Sequence, residues 1–248
     1  MDAMIEIRDV HKSFGDNHVL RGINLQVPEG ATTVIIGASG SGKSVLVKHM
    51  IGLLRPDEGR VIVEGEDTTN LSEREFQRVR EKFGMVFQGA ALFDSMTVGE
   101  NVSFPLREHG GLREREINEI VSQKLTLLSL EGTEGLFPAE LSGGMRKRVG
   151  LARAIVLDPR IILYDEPTTG LDPITANNVD QMIIEAKEKL GVTSVVISHD
   201  IASSFRVGDY VAMIHEGVIV DQGPPAHIRR SSHPYVKKFL STWFAKGE

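Results

Sequence analysis

Between residues 37 and 44 the chain reads Gly37-Ala38-Ser39-Gly40-Ser41-Gly42-Lys43-Ser44. Glycines followed by a cation and a hydroxyl at the spacing G-x-x-x-x-G-K-[ST] suit the grip of a polyphosphate. Glycine lets the backbone curl against an anion without side-chain clash. The N–H groups so exposed, with the positive end of a following helix, then face the negative charge. Lys43 is placed to reach the terminal phosphates, and the Ser44 hydroxyl to ligate Mg²⁺. Gly37, Ser39, Gly40, Ser41, Gly42, Lys43 and Ser44 are therefore the expected nucleotide-binding residues.

A second element must supply a carboxylate for the metal. The apolar run Ile161-Ile162-Leu163-Tyr164 ends in Asp165-Glu166. Asp165 is the expected Mg²⁺ partner, directly or through water, and Glu166 is placed to polarise an attacking water. Thr193 to Ser198 is a further apolar run that ends on one polar side chain, His199, which suits a sensor of the γ-phosphate. No Asn-Lys-x-Asp guanine-reading motif is present. ATP with Mg²⁺ is the expected pair.

These residues need a scaffold that brings them to one edge. Thr32 to Ile36 is β-branched and apolar, and the glycine loop that follows leads into Val45 to Ile51, a strand, tight loop and helix. Ile5, Ile7 and Val10 mark an early strand, and Val61 to Val63 and Met85 to Phe87 two more. Ser72 and Glu75 stand at capping-box spacing at a helix start. The runs at Ile161 and Thr193 read as parallel strands buried on both faces, while Val211 to Ile214 and Val218 to Val220 read as a hairpin through Glu216-Gly217. Residues Arg113 to Leu130 are charged with apolar positions at helical spacing. The expected fold class is α/β, a P-loop NTPase (RecA-like) core with an antiparallel β edge. The expected core is residues 1–89 and 158–223, with a helical insertion at 90–157 and a tail at 224–248.

Leu141-Ser142-Gly143-Gly144-Met145 resembles the signature motif of the ABC ATPases. Physically it is a small-residue turn opening a helix, Arg146 to Val156, and so another anion site. The resemblance covers nearly the whole chain. It implies a helical ABC-specific subdomain and a head-to-tail homodimer in which Ser142, Gly143 and Gly144 of one copy close over nucleotide on the phosphate loop of the other. It further implies that Phe14 stacks on adenine, that Gln88 senses both the metal and the attacking water, that Leu171-Asp172 touches the other subunit, and that His199 is a switch. Met145 departs from the usual glutamine, and a thioether cannot replace the hydrogen bonding of an amide.

That methionine, with Gly84 to Phe93 and Asn101 to Leu106, is similar to the ATPase of Mla-type phospholipid transporters. The similarity implies an integral-membrane permease, an MCE-domain protein and a small accessory subunit as partners, and a place on the cytoplasmic face of the inner membrane. Ala90 to Phe104 is apolar at several positions, as the core of the helical insertion or as a groove for a permease helix. Tyr235, Phe239 and Trp243 share a helical face in the tail, packed on their own domain or gripping another subunit.

The whole chain narrows the alternatives. Its 248 residues carry a net charge of -6, which gives no attraction to nucleic acid, and no cysteine for a disulfide or thiolate site. The first residues resemble no signal peptide, and the longest apolar runs are strand-sized, far short of the roughly 20 residues of a spanning helix. A DNA-repair ATPase would need a long coiled-coil insertion, and a translation ATPase usually carries two phosphate loops; neither feature is present. A kinase or GTPase has no use for the signature run. A transport motor remains the leading expectation.

Overall fold

Thr32–Ile36 is buried along its whole length, as a strand covered on both faces must be, and the other elements are arranged around it. The structure, a computed structural model, describes residues 2–244 and the side chains of 2–242. The chain begins with a hairpin, β1 (Ala3–Phe14) and β2 (Asn17–Pro28), followed by β3 (Thr32–Ile36) and, past the glycine loop, α1 (Lys43–Met50). Next come β4 (Glu58–Val63), β5 (Glu66–Asp67), α2 (Glu73–Arg80) and β6 (Phe83–Val86). A helical stretch holds α3 (Val98–His109), α4 (Glu114–Leu127), a 3-10 turn (Pro138–Glu140) and α5 (Gly143–Ala154). The chain returns through β7 (Ile161–Asp165), α6 (Pro173–Leu190), β8 (Thr193–Ser198), α7 (Ile201–Val207), β9 (Tyr210–His215) and β10 (Val218–Gly223). It finishes in α8 (Pro225–Arg229) and α9 (Pro234–Phe244).

The main sheet has the order β10-β9-β3-β8-β7-β6, parallel from β9 to β6, with β10 antiparallel at its edge. A second, antiparallel sheet runs β2-β1-β4-β5. In the main sheet Ile36 pairs with Ser198 and Asp165 with Ile197. The C-terminal ends of β3, β8 and β7 therefore finish together, at the edge where open α/β sheets bind ligands.

Period-two alternation sorts the strand residues into two cores. Ile35, Leu163 and Val195 face the second sheet, packing with Ile7, Ile23 and Leu25 and with Leu46 of α1. Val34, Ile36, Ile162 and Val196 face the other way, against Leu151 of α5 and Ile183 of α6. Val236 and Leu240 of α9 pack into this second core, so the tail is seated on its own domain. Tyr235 stacks on His215 with ring centroids 3.5 Å apart; the side chain of Trp243 lies outside the described residues. The helices α3, α4 and α5 share a third core that includes Val102, Leu125 and Val149.

Capping chemistry marks several helix starts. Ser72 and Glu75 form the expected capping box, and Thr97 with Glu100 forms another. The signature helix starts at Gly143, three residues before the expected Arg146, because the Ser142 Oγ accepts the Met145 N–H at 3.2 Å and caps the first turn.

Candidate active site

The loop after β3 has no room for side chains at two of its glycines. A Cβ on Gly37 would lie 2.3 Å from the Ile214 carbonyl oxygen. Gly42, at φ 107, caps α1, and a Cβ there would meet Leu20 at 2.8 Å. Lys43 is 5% exposed and donates to the carbonyls of Gly37 at 2.8 Å and Ala38 at 2.9 Å. Burial pushes its pKa down, opposed by the nearby charges of Glu166 and Asp165. The Ser41 hydroxyl is buried without a partner. An orphaned donor beside a buried ammonium at a helix start fits a polyphosphate. Ser39, Gly40 and Ser44 are exposed around this loop.

Asp165 ends β7 half-buried, and desolvation, with the adjacent Glu166 charge, pushes its carboxyl pKa up against the pull of Lys43. Glu166 has a left-handed backbone, φ 48, which costs a non-glycine residue about 1–2 kcal/mol. Its N–H donates to the Ile197 carbonyl at 3.0 Å, which anchors the turn to β8. Its Oε2 accepts from Thr169 Oγ1 at 3.0 Å and lies 3.3 Å from His199 Nδ1. The structure thus brings Lys43, Asp165, Glu166 and His199 to one sheet edge.

Gln88 is exposed just beyond β6. Its carbonyl accepts from the ammonium of Lys147 on α5, which also donates to the Pro167 carbonyl at 3.0 Å. Two residues on, Ala90 and Ala91 are both left-handed, and the Ala90 carbonyl accepts from Arg153 at 2.8 Å. Beside this segment an apolar groove of about 460 Å³ is lined by Phe83, Met85, Phe87, Phe93 and Phe104, among others.

One set of expected residues stands apart from the phosphate loop. Ser142, Gly143 and Gly144 line a separate hollow of about 420 Å³ with Thr175, Asn178 and Met182, and no residue of the phosphate loop lines it. Met145 packs partly into the helical core, as a flexible thioether can. Phe14 ends the first strand of the hairpin, 48% exposed, with the Lys12 ammonium 5.7 Å from its ring centroid. Leu171 packs partly against the second core, while Asp172 caps α6.

Residues 20–169 match the family described as ABC transporter. The chain belongs to this family. It is 43% identical to the "Probable ribonucleotide transport ATP-binding protein mkl" of Mycobacterium tuberculosis, over 97% of this chain and 67% of that protein. It is 40% identical to the "Intermembrane phospholipid transport system ATP-binding protein MlaF" of Haemophilus influenzae, over 96% of this chain and 90% of that one. Among solved structures it resembles the cassette MJ0796 in a dimeric post-hydrolysis state bound to ADP and Pi, with a TM-score of 0.78, 32% identity and coverage of 90% and 99%. This ABC cassette is an ATP-binding ATPase with the expected α/β fold.

Two residues of the cassette's site were not among the sequence expectations. Thr169 lies three residues after Glu166 and holds its carboxylate. Lys147 lies on the face of α5 that carries Gly150 and Leu151, all buried. A lysine four residues before a buried leucine was the available signal.

Proposed function

We propose that this ABC ATPase powers phospholipid transport between membranes through a separate integral-membrane permease. The observation that carries the reading is the apolar groove of Phe83, Phe87, Phe93 and Phe104, which lies beside Gln88. An apolar surface continuous with the loop that senses hydrolysis suits a partner helix that must feel the nucleotide state. No helix among the described residues is long and apolar enough to cross a membrane, so the membrane path belongs to a partner on this reading. The relatives named for phospholipid transport support lipid as cargo.

The chemistry follows from residues at the sheet edge. Gly37, Ser39, Gly40, Ser41, Gly42 and Lys43 bind the phosphates, with backbone N–H groups and one ammonium matched to their charge. Phe14 offers its exposed ring to adenine. Glu166 orients and polarises the attacking water and takes its proton, and His199 faces the terminal phosphate while holding Glu166. Gln88 reads the water and the metal. Among the described residues no group of three or more His, Cys, Asp or Glu side chains could hold a metal by itself. Mg²⁺ would instead be held by Ser44, Asp165 and Gln88 with nucleotide oxygens, and when bound it supplies neutralisation of developing phosphate charge.

Because Ser142 to Gly144 open on a hollow away from the phosphate loop, a second copy, head to tail, completes each site on this reading. ATP binding closes the pair, and hydrolysis with product release reopens it, residues 90–157 moving as a unit against residues 1–89 and 158–223. The complex sits on the cytoplasmic face of the inner membrane, with an MCE-domain protein and a small accessory subunit, and without nucleic acid.

The test is mass spectrometry of the intact complex taken from native membrane. A membrane permease and bound phospholipid are expected together. The name of the mycobacterial relative favours a second reading, ribonucleotide cargo; a permease recovered with ribonucleotides and no phospholipid would establish that instead.

A further inference from the structure

Lys147 has no part in the roles above, yet its placement is unusual. Its neighbours Arg146 and Arg148 are exposed, while Lys147 itself is only 7% exposed. Burying an ammonium is costly unless it is paired or fully hydrogen-bonded. Among the described residues no carboxylate forms a salt bridge with it. Its partners are main-chain oxygens, the Gln88 carbonyl and the Pro167 carbonyl.

Those two carbonyls belong to the two loops on which water activation depends. Gln88 carries the sensing amide, and Pro167 directly follows Glu166. The donor comes from α5, whose capped first turn is the signature run Ser142 to Gly144. One side chain therefore joins the signature helix to both loops. The Gln88 loop is further strapped to α5 by Arg153 on the Ala90 carbonyl at 2.8 Å. Gly150 lets that loop approach: a Cβ there would come within 3.0 Å of the Ala90 Cβ. With Ala90 and Ala91 both left-handed, the loop holds a conformation that its own backbone disfavours. Among the described residues the Glu166 loop has no hydrogen bond to α5 other than that of Lys147 to the Pro167 carbonyl.

We propose that Lys147 is a positioning residue for ATP hydrolysis, fixing the separation between the Gln88 main chain and the loop after Glu166. Reorientation of α5 is thereby delivered to both loops at once. This rests on the roles given above to Gln88 and Glu166. Its contacts are to backbone, so any side chain able to donate to both carbonyls serves, and one that cannot leaves two buried acceptors unpaired.

The experiment compares the 248-residue chain with K147M, K147R and E166Q. It measures kcat and KM for ATP with Mg²⁺, equilibrium ATP binding, and the thermal midpoint. K147M is expected to lower kcat about tenfold or more while KM and ATP affinity stay within about threefold, and K147R to recover most of kcat. A K147M enzyme with kcat within about twofold of the parent overturns the proposal. So does equal loss in K147M and K147R accompanied by weakened ATP binding and a lowered midpoint, which is the pattern of a structural residue. E166Q separates this from the underlying site assignment. If E166Q turns over normally, the assignment of Glu166 fails; if E166Q collapses and K147M does not, only the Lys147 proposal fails.

Discussion

His199 Nδ1 lies 3.3 Å from Oε2 of Glu166, the same oxygen that accepts the Thr169 hydroxyl at 3.0 Å. The Thr169 hydroxyl holds one oxygen of the carboxylate by a hydrogen bond, and His199, from a separate loop, lies against the same oxygen. The other has no side-chain partner among the described residues. On the proposed reading of Glu166 as general base, these contacts fix its direction before substrate arrives.

Glu166→Gln is therefore expected to keep ATP binding and to trap the closed dimer, while turnover falls by about 10²-fold or more, the scale of a lost general base. Phosphate release together with size-exclusion chromatography in ATP checks both parts. Near-normal hydrolysis would remove Glu166 from the role of catalytic base.

Lys43 tells a different story, because its ammonium is already directed into the phosphate loop by the Gly37 and Ala38 carbonyls. Lys43→Ala should weaken ATP binding, since a hydrogen bond to a charged group is worth about 1.5–3 kcal/mol, or about tenfold and more in affinity. Equilibrium binding of a fluorescent ATP analogue measures this. Unchanged affinity would count against the phosphate-loop assignment.

Phe87 is 39% exposed at the mouth of the apolar groove. Phe87→Glu would place a charge where a partner helix must be desolvated, and co-purification with the membrane subunit should be lost. Recovery of the complex in normal yield would mean that the groove does not dock the permease.

A pH dependence follows from His49 on α1, 1% exposed. Its Nδ1 donates to the Val45 carbonyl at 2.7 Å, and Nε2 is buried without a partner. Desolvation, with the nearby Lys12 charge, lowers its pKa against the opposing pull of the Val45 carbonyl and Asp57. The unfolded chain then binds a proton more readily than the folded one below about pH 6.5, so stability falls as the pH drops through that value towards the folded pKa. His49→Gln keeps a donor for Val45 but does not titrate. Its thermal midpoint should fall less than that of the parent between about pH 7.5 and 5.5; equal falls would clear His49 of the effect.

What could be read in advance depended on how local the determining physics is. The glycine loop, the Ser72–Glu75 box and the buried parallel strands carry their signals within a few residues, and all were legible. Strand β2 carries such a signal only in its second half, where buried Ile23, Leu25 and Val27 alternate with exposed Asn24 and Gln26; in its first half Leu20 and Ile23 are buried out of phase, and the strand was not expected. Helix α6 was not expected although Asp172 with Pro173 marks a helix start, because its buried face includes Ala176 and Asp180 and so shows only a weak apolar stripe. Thr169 and Lys147 were missed for a further reason. Their partners are a carboxylate placed by a left-handed turn and two backbone carbonyls on distant loops, and only the folded chain brings these together.

The hollow bordered by Ser142 to Gly144 has a kinetic consequence. On the paired reading, a dilute cassette is a slow one, because productive encounters scale with the square of its concentration until pairing saturates. Two copies held on one membrane partner escape that law, as tethering raises their effective concentration to about the millimolar range for short links. The separation of half-sites within one chain thus makes assembly itself the throttle, and free copies would spend little ATP.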